Sequence, residues 1–231
     1  MTIKVISFDL DDTFWPIMPT ILNAEKVTNS WIKENYPGVG SLLGSKDVIE
    51  IRDKLLKNDP GLMYQLSKLR ELSFVELGVL AGYSKKEAKE MATSSFEIFY
   101  NERNNVVLYA GVEDCLDSLN KQYSLGVITN GNADLKIIGI DHYFDFNFSA
   151  SGFNAAKPDP VMFEAVKDFT KCKGNQICHV GDHPINDVKA SYDCEMNPIW
   201  FNDQGLEWSL PEIQPLEVTH WERMEEAIKT F

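Results

Sequence analysis

Three carboxylates, Asp9, Asp11 and Asp12, close an apolar run that begins at Val5. Like charges at that density repel one another unless a positive charge lies among them, and a divalent cation supplies one directly. Val5, Ile6 and Phe8 have the continuous apolar character of a parallel strand buried on both faces. The acids then fall at its C-terminal end, where open α/β sheets place their ligands. An Asp-rich turn or helix cap reads the same way over so short a span, so the run does not decide the matter alone.

Three later segments bring complementary residues to comparable positions. Thr129-Asn130-Gly131 follows the strand-like run Ser124 to Thr129, offering a hydroxyl and then backbone N–H groups at a turn, a pattern that binds phosphate oxygens. Lys157 stands just before a helix expected from Pro158 to Thr170, as a point charge suited to a phosphate. Gly181-Asp182 ends the run Gln176 to Val180, and Asp187 follows five residues on. Each has an ordinary alternative: a capping Thr129, a solvated Lys157, and Asp182 and Asp187 as helix caps. Their arrival in this order at successive strand ends favours one shared site.

The elements that must position these residues alternate. Helical and strand-like runs succeed one another from Gly111, with strands expected at Ser124 to Thr129, Phe146 to Ala150, Gln176 to Val180 and Pro198 to Phe201. With the first strand that makes five, and alternation of this kind implies a parallel sheet with right-handed crossovers. Between about Ile21 and Asn104 the chain reads as helix alone. Ser84-Lys85-Lys86-Glu87 forms a capping box, and Pro37-Gly38, Asp59-Pro60-Gly61 and Ala81-Gly82 divide the stretch into about four helices. The expected fold class is therefore α/β, with a parallel sheet core in 1–15 and 108–231 and a helical insertion in 16–107. An insertion placed directly after the acidic run could serve as a lid.

Composition narrows the partners. The chain has 231 residues, 44% of them hydrophobic, enough for a real core. Its 35 acidic and 22 basic residues give a net charge of -13, which disfavours nucleic acid and anionic membrane surfaces as partners. The insertion between Pro16 and Val107 holds 12 basic and 12 acidic residues, so the remaining 10 basic and 23 acidic residues carry the whole charge. That contrast suggests two modules. Cys115, Cys172, Cys178 and Cys194 show no metal-binding spacing, and no signal peptide or spanning apolar run is evident, so a reduced, cytoplasmic setting is expected.

Taken together, Asp9-Leu-Asp11-Asp12-Thr13, Thr129 within VITNG, Lys157 within AAKPDP and Gly181-Asp182-His-Pro-Ile-Asn-Asp187 resemble the four motifs of the haloacid dehalogenase superfamily over nearly the whole chain. The resemblance implies a Rossmann-like core, a mobile helical cap of the type I position and a Mg²⁺ site. Asp9 would be the nucleophile and Asp11 the general acid and base. The metal would be held by Asp9, Asp182 and the backbone carbonyl of Asp11, with Asp187 bracing the ligands. Thr129, the backbone amides that follow it from Asn130 on, and Lys157 would bind phosphate. The dehalogenase branch of the superfamily lacks the acid that Asp11 supplies, so the resemblance points to a phosphatase acting on a small phosphorylated metabolite, such as a nucleotide, flavin mononucleotide, a sugar phosphate or a phosphoglycolate-like acid. A phosphomutase and a non-catalytic phosphate-binding module are the alternatives. Trp15, Arg70 and His183 are candidates for substrate specificity, each with a plainer reading as a core aromatic, a solvated helix arginine or a loop histidine. Asp12, at a position often glycine in relatives, reads as support for the turn. Oligomeric state is left open.

Overall fold

Val5–Phe8 forms β1, buried along its whole length, and lies in the interior of a parallel sheet. A computed structural model describes residues 2–231. Ser124–Thr129 is β2, Phe146–Ser149 β3, Ile177–Gly181 β4, Asn197–Phe201 β5 and Leu216–Val218 β6, in the spatial order β3-β2-β1-β4-β5-β6. Every neighbouring pair is parallel. This is the expected α/β class: a Rossmann-like parallel core with an all-helical insertion between its first two strands. The sixth strand was not expected, because three residues carry too little periodicity to stand out.

Register is what makes the sheet matter for chemistry. Phe8 lies opposite Val127 of β2 and Val180 of β4, so all three strands finish near one edge. Asp9 follows directly and donates its backbone N–H to the carbonyl of Val180 at 2.9 Å. Thr129 and Gly181-Asp182 emerge at the same edge, on either side of it. Beneath, Val5, Ile128, Ile177, Met162, Phe163 and Val166 belong to one buried cluster, which includes one face of the helix Val161–Thr170. Burying such side chains stabilises by about 1.5–3 kcal/mol each and holds the strand ends in place.

The described chain separates into two compact units. One comprises the segments up to Pro16, Val107–Gly131 and Ile138–Phe231, and contains the whole sheet. The other comprises Ile17–Val106 together with Asn132–Ile137, a short segment that the sequence reading placed with the core. In this second unit the longer helices are Ile17–Asn35, Lys46–Asn58, Leu66–Leu80 and Lys85–Arg103. The last begins at the expected capping box: Ser84 Oγ accepts from the Glu87 N–H, and Glu87 Oε2 accepts from the Ser84 N–H. Ile32, Val39, Phe74, Leu77, Met91 and Ala92 form the unit's own core. Among the described residues no helix is long and apolar enough to cross a membrane.

Candidate active site

Lys157 is the centre of the acidic edge. Its side chain is buried, and Nζ donates to Asp9 Oδ1 at 2.6 Å, to Asp187 Oδ1 at 2.5 Å and to the Ile128 carbonyl at 2.9 Å. All three donor positions of the ammonium are thereby used. An ammonium leaves water only when paired and hydrogen-bonded, and both conditions hold here. Its pKa is raised: burial opposes the charge, but Asp187 and Asp9 outweigh it. Lys157 is thus no surface lysine.

Asn130 fixes where that lysine starts. Asn130 Nδ2 donates to the Lys157 carbonyl at 2.9 Å, and the Lys157 N–H donates back to Asn130 Oδ1 at 2.7 Å. The Asn130 side chain is therefore spent on the backbone of Lys157, leaving only its own backbone amide for the anion contact expected of it. Thr129 is buried, and its hydroxyl accepts from the Gly131 N–H at 3.0 Å, closing the turn at the end of β2.

Carboxylate oxygens of Asp9, Asp182 and Asp187 lie within 4.8 Å of one another. Both oxygens of Asp187 are engaged: Oδ1 by Lys157 and by His179 Nε2 at 3.3 Å, Oδ2 by the backbone N–H of His183 at 3.0 Å. That engagement suits a brace. Asp182 is held differently, its Oδ1 accepting from Thr13 Oγ1 at 3.3 Å and its backbone carbonyl from the Trp200 indole at 2.7 Å. Gly181, the last residue of β4, leaves no room for a side chain without a shift in Asp187. A Cβ there would lie 2.3 Å from Asp187 Cγ.

Charge in this cluster is unbalanced. Three carboxylates against one ammonium leave an excess of two negative charges (3 − 1 = 2). The imbalance falls on Asp9 and Asp182. Burial, with Asp187 and Asp11 adding to it against the pull of Lys157, pushes Asp9 up to about 7. Burial and the neighbouring Asp187, Asp9 and Asp12 push Asp182 up to about 8. Asp187 goes the other way: burial opposes its ionisation, but Lys157 and His179 hold it well below the usual carboxylate range. Such a cluster of hard oxygen donors with surplus negative charge fits a divalent cation such as Mg²⁺.

His179 escaped the sequence reading. It is buried within β4, and burial lowers its pKa, so the ring is neutral. An ionised Asp187 can only accept, which places the proton on Nε2 and makes Nδ1 the acceptor for Ser7 Oγ at 2.9 Å. The signal for it was a lone polar ring inside an apolar strand, which also describes many core histidines.

The remaining candidates fall in varied surroundings. Asp11 Oδ1 accepts from the Trp15 indole at 3.0 Å. Trp15 itself is fully buried, so it offers no surface as a pocket wall. Asp12 has a φ of 60°, in the left-handed region that glycine favours and Asp tolerates, and its N–H donates to the Trp15 carbonyl at 2.8 Å. The turn role holds for it. His183 uses Nδ1 to accept from the N–H groups of Ile185 and Asn186, both at 3.1 Å, capping the turn that carries Asp187. Arg70 belongs to the helical unit, where its guanidinium lies 3.6 Å from the centre of the Phe99 ring and 3.7 Å from Glu25.

Comparison with known proteins adds a second line. A family model described as haloacid dehalogenase-like hydrolase matches residues 40–201. The solved structure of a 2-haloacid dehalogenase from Pseudomonas syringae pv. Tomato DC3000 is 35% identical, with a TM-score of 0.95 and 99% of each chain covered. The 5-amino-6-(5-phospho-D-ribitylamino)uracil phosphatase YigB of Escherichia coli (strain K12) is 27% identical over 203 residues, 88% of this chain and 85% of that one. The Bacillus subtilis protein YfnB, solved bound to magnesium, is similar in fold, with a TM-score of 0.67 at 17% identity over 99% of this chain and 100% of that one.

Proposed function

The chain belongs to the haloacid dehalogenase-like hydrolases, and from that premise we propose that it is a Mg²⁺-dependent phosphatase that hydrolyses a small-molecule phosphate monoester through an aspartyl-phosphate on Asp9. The observation that carries this reading is the buried cluster of Asp9, Asp182 and Asp187 around Lys157, with a further carboxylate, Asp11, two residues from the nucleophile. The named activity of the Escherichia coli relative supports it.

Asp9 attacks phosphorus as a carboxylate, a nucleophile that needs no base once ionised. Asp9, Asp182 and the Asp11 carbonyl are the groups that would hold the cation, whose chemistry is to neutralise charge between the nucleophile and the phosphate. Lys157 keeps Asp9 oriented, and the Thr129 hydroxyl and the Asn130 backbone amide would serve as donors to equatorial phosphate oxygens. Asp11 protonates the leaving oxygen and then takes a proton from water as the aspartyl-phosphate is hydrolysed. The helical unit, including Arg70, is where selection among nucleotides, flavin mononucleotide, sugar phosphates and phosphoglycolate-like acids would arise. A cytoplasmic setting accords with the four free cysteines.

A second reading, a 2-haloacid dehalogenase, is favoured by the name of the 35% identical structure. Halide leaves as a stable anion and needs no proton, so that chemistry has no use for Asp11. The test measures both products. Wild type and Asp9→Asn are assayed for phosphate release from a panel that includes a ribitylaminouracil phosphate, with Mg²⁺ or EDTA, and for chloride release from 2-chloropropionate. Phosphate release that needs both Mg²⁺ and Asp9 is the expected result. Chloride release without phosphate release would move the assignment to the dehalogenase.

A further inference from the structure

Trp15 and Asp11 are joined by a bond that has no need of substrate. Residues 11 to 15 form a tight turn: the Asp12 N–H donates to the Trp15 carbonyl at 2.8 Å, and the φ of 60° at Asp12 turns the chain back on itself. This folds the indole under the acid that precedes it, so that Trp15 Nε1 donates to Asp11 Oδ1 at 3.0 Å. Trp15 is fully buried and packs edge-on against Phe14, with ring centroids 6.1 Å apart. Its rotamer is therefore held by packing, and the donor is fixed in place.

An indole N–H donates only; it has no lone pair with which to accept. The carbonyl oxygen of a carboxyl accepts more strongly than its hydroxyl oxygen, so the oxygen that receives the indole bond is favoured to be the one without the proton. We propose that Trp15 is a positioning residue that holds the Asp11 carboxyl by Oδ1 and favours Oδ2 as the oxygen that serves as acid and then as base. The inference rests on the phosphatase reading and adds to it a residue that touches neither phosphate nor cation.

In the first half-reaction a bond forms between Asp9 and phosphorus as the ester O–P bond breaks. The electron pair stays on the departing oxygen, which takes the Oδ2 proton of Asp11. In the second, water oxygen bonds to phosphorus, its proton passes to the same Oδ2, and the Asp9 carboxylate leaves. Without the indole that preference is lost, and the proton would divide between the two oxygens.

An alkyl leaving group depends on that acid, whereas p-nitrophenolate departs readily without a proton. The quantity to read is thus the ratio of kcat/KM for the best alkyl phosphate of the panel to kcat/KM for p-nitrophenyl phosphate, in wild type and in Trp15→Phe. Since kcat/KM covers only the steps through phosphoryl transfer to Asp9, hydrolysis of the intermediate does not enter it. The ratio also cancels any loss of folded enzyme. We expect it to fall about tenfold, a part of the roughly 10²–10⁴-fold worth of general acid catalysis. A benzothiophene side chain at position 15, which keeps the ring shape and lacks the donor, should lower the ratio equally and serves if the phenylalanine variant does not fold. A ratio equal to wild type in a folded variant overturns the inference while leaving the phosphatase reading intact. No phosphate release by wild type from either ester overturns that reading, and the inference with it.

Discussion

Asn130 and Lys157, 27 residues apart in the chain, hold one another by a reciprocal pair of hydrogen bonds, side-chain amide to backbone carbonyl at 2.9 Å and backbone N–H to side-chain oxygen at 2.7 Å. The pair ties the turn after β2 to the segment that delivers the lysine. The clamp on its main chain sets the point from which the Lys157 side chain bridges Asp9 and Asp187.

Asn130→Ala tests that arrangement. Two backbone groups of Lys157 lose their partners, which costs about 1–3 kcal/mol for each group left unsatisfied. Stability measured by urea unfolding should drop accordingly. Phosphate release should fall by roughly 10²-fold, the scale expected when a positioned charge moves by about an ångström. Full activity in a merely less stable variant would show that Lys157 finds its place without the clamp.

Much of the site was legible from the order of residue types alone. Asp9, Thr129 and Asp182 stand out because polar residues interrupt apolar runs at points where a parallel sheet ends, and a sheet of this topology gathers such ends at one edge; Lys157 stands out as a charge just ahead of a helix. What escaped notice depends on contacts distant in sequence. His179 lies inside an apolar strand and gains its meaning from Ser7, 172 residues away. The Trp221 indole donates to the Thr13 carbonyl across 208 residues, a brace that no local pattern announces. The backbone amide of Asn130 is expected among the phosphate contacts from its position after Thr129, but nothing nearby in sequence signals that its side chain holds Lys157, 27 residues on. Strand β6 and the short helix Met224–Ile228 were too brief to declare a period.

Gly181→Ala should damage the site by steric displacement, without removing any functional group. The added Cβ would lie 2.3 Å from Asp187 Cγ and 2.6 Å from its Oδ2, a distance at which something must shift. Asp187 is pinned by Lys157, His179 and the His183 N–H, so the displacement passes into that network. Overpacking of this kind costs about 1–3 kcal/mol. Because Asp182 is the next residue, affinity for Mg²⁺, read by titration calorimetry on the variant, should weaken as well. Unchanged metal affinity would confine the damage to Asp187.

Mg²⁺ should matter to stability in a pH-dependent way. Asp9 is raised in the folded chain to about 7 and Asp182 to about 8, from ordinary values of 3.8. Between those limits the folded state binds more protons than the unfolded chain, so unfolding free energy falls as pH rises. The loss begins near the ordinary carboxylate value and is complete only above about 8. Asp187, held low, contributes in the opposite sense: its stabilisation is present above 3.8 and is lost only on acidification below it. A cation held by Asp9 and Asp182 would bind their ionised forms, and would therefore stabilise most where protons have left. Thermal unfolding at about pH 6 and about pH 8.5, with EDTA or with saturating Mg²⁺, reads both effects. We expect Tm in EDTA to fall between the two pH values and the Mg²⁺-induced rise in Tm to be larger at the higher one. An increment that is equal at both would mean that the cation does not draw on the acids whose charge the fold leaves uncompensated.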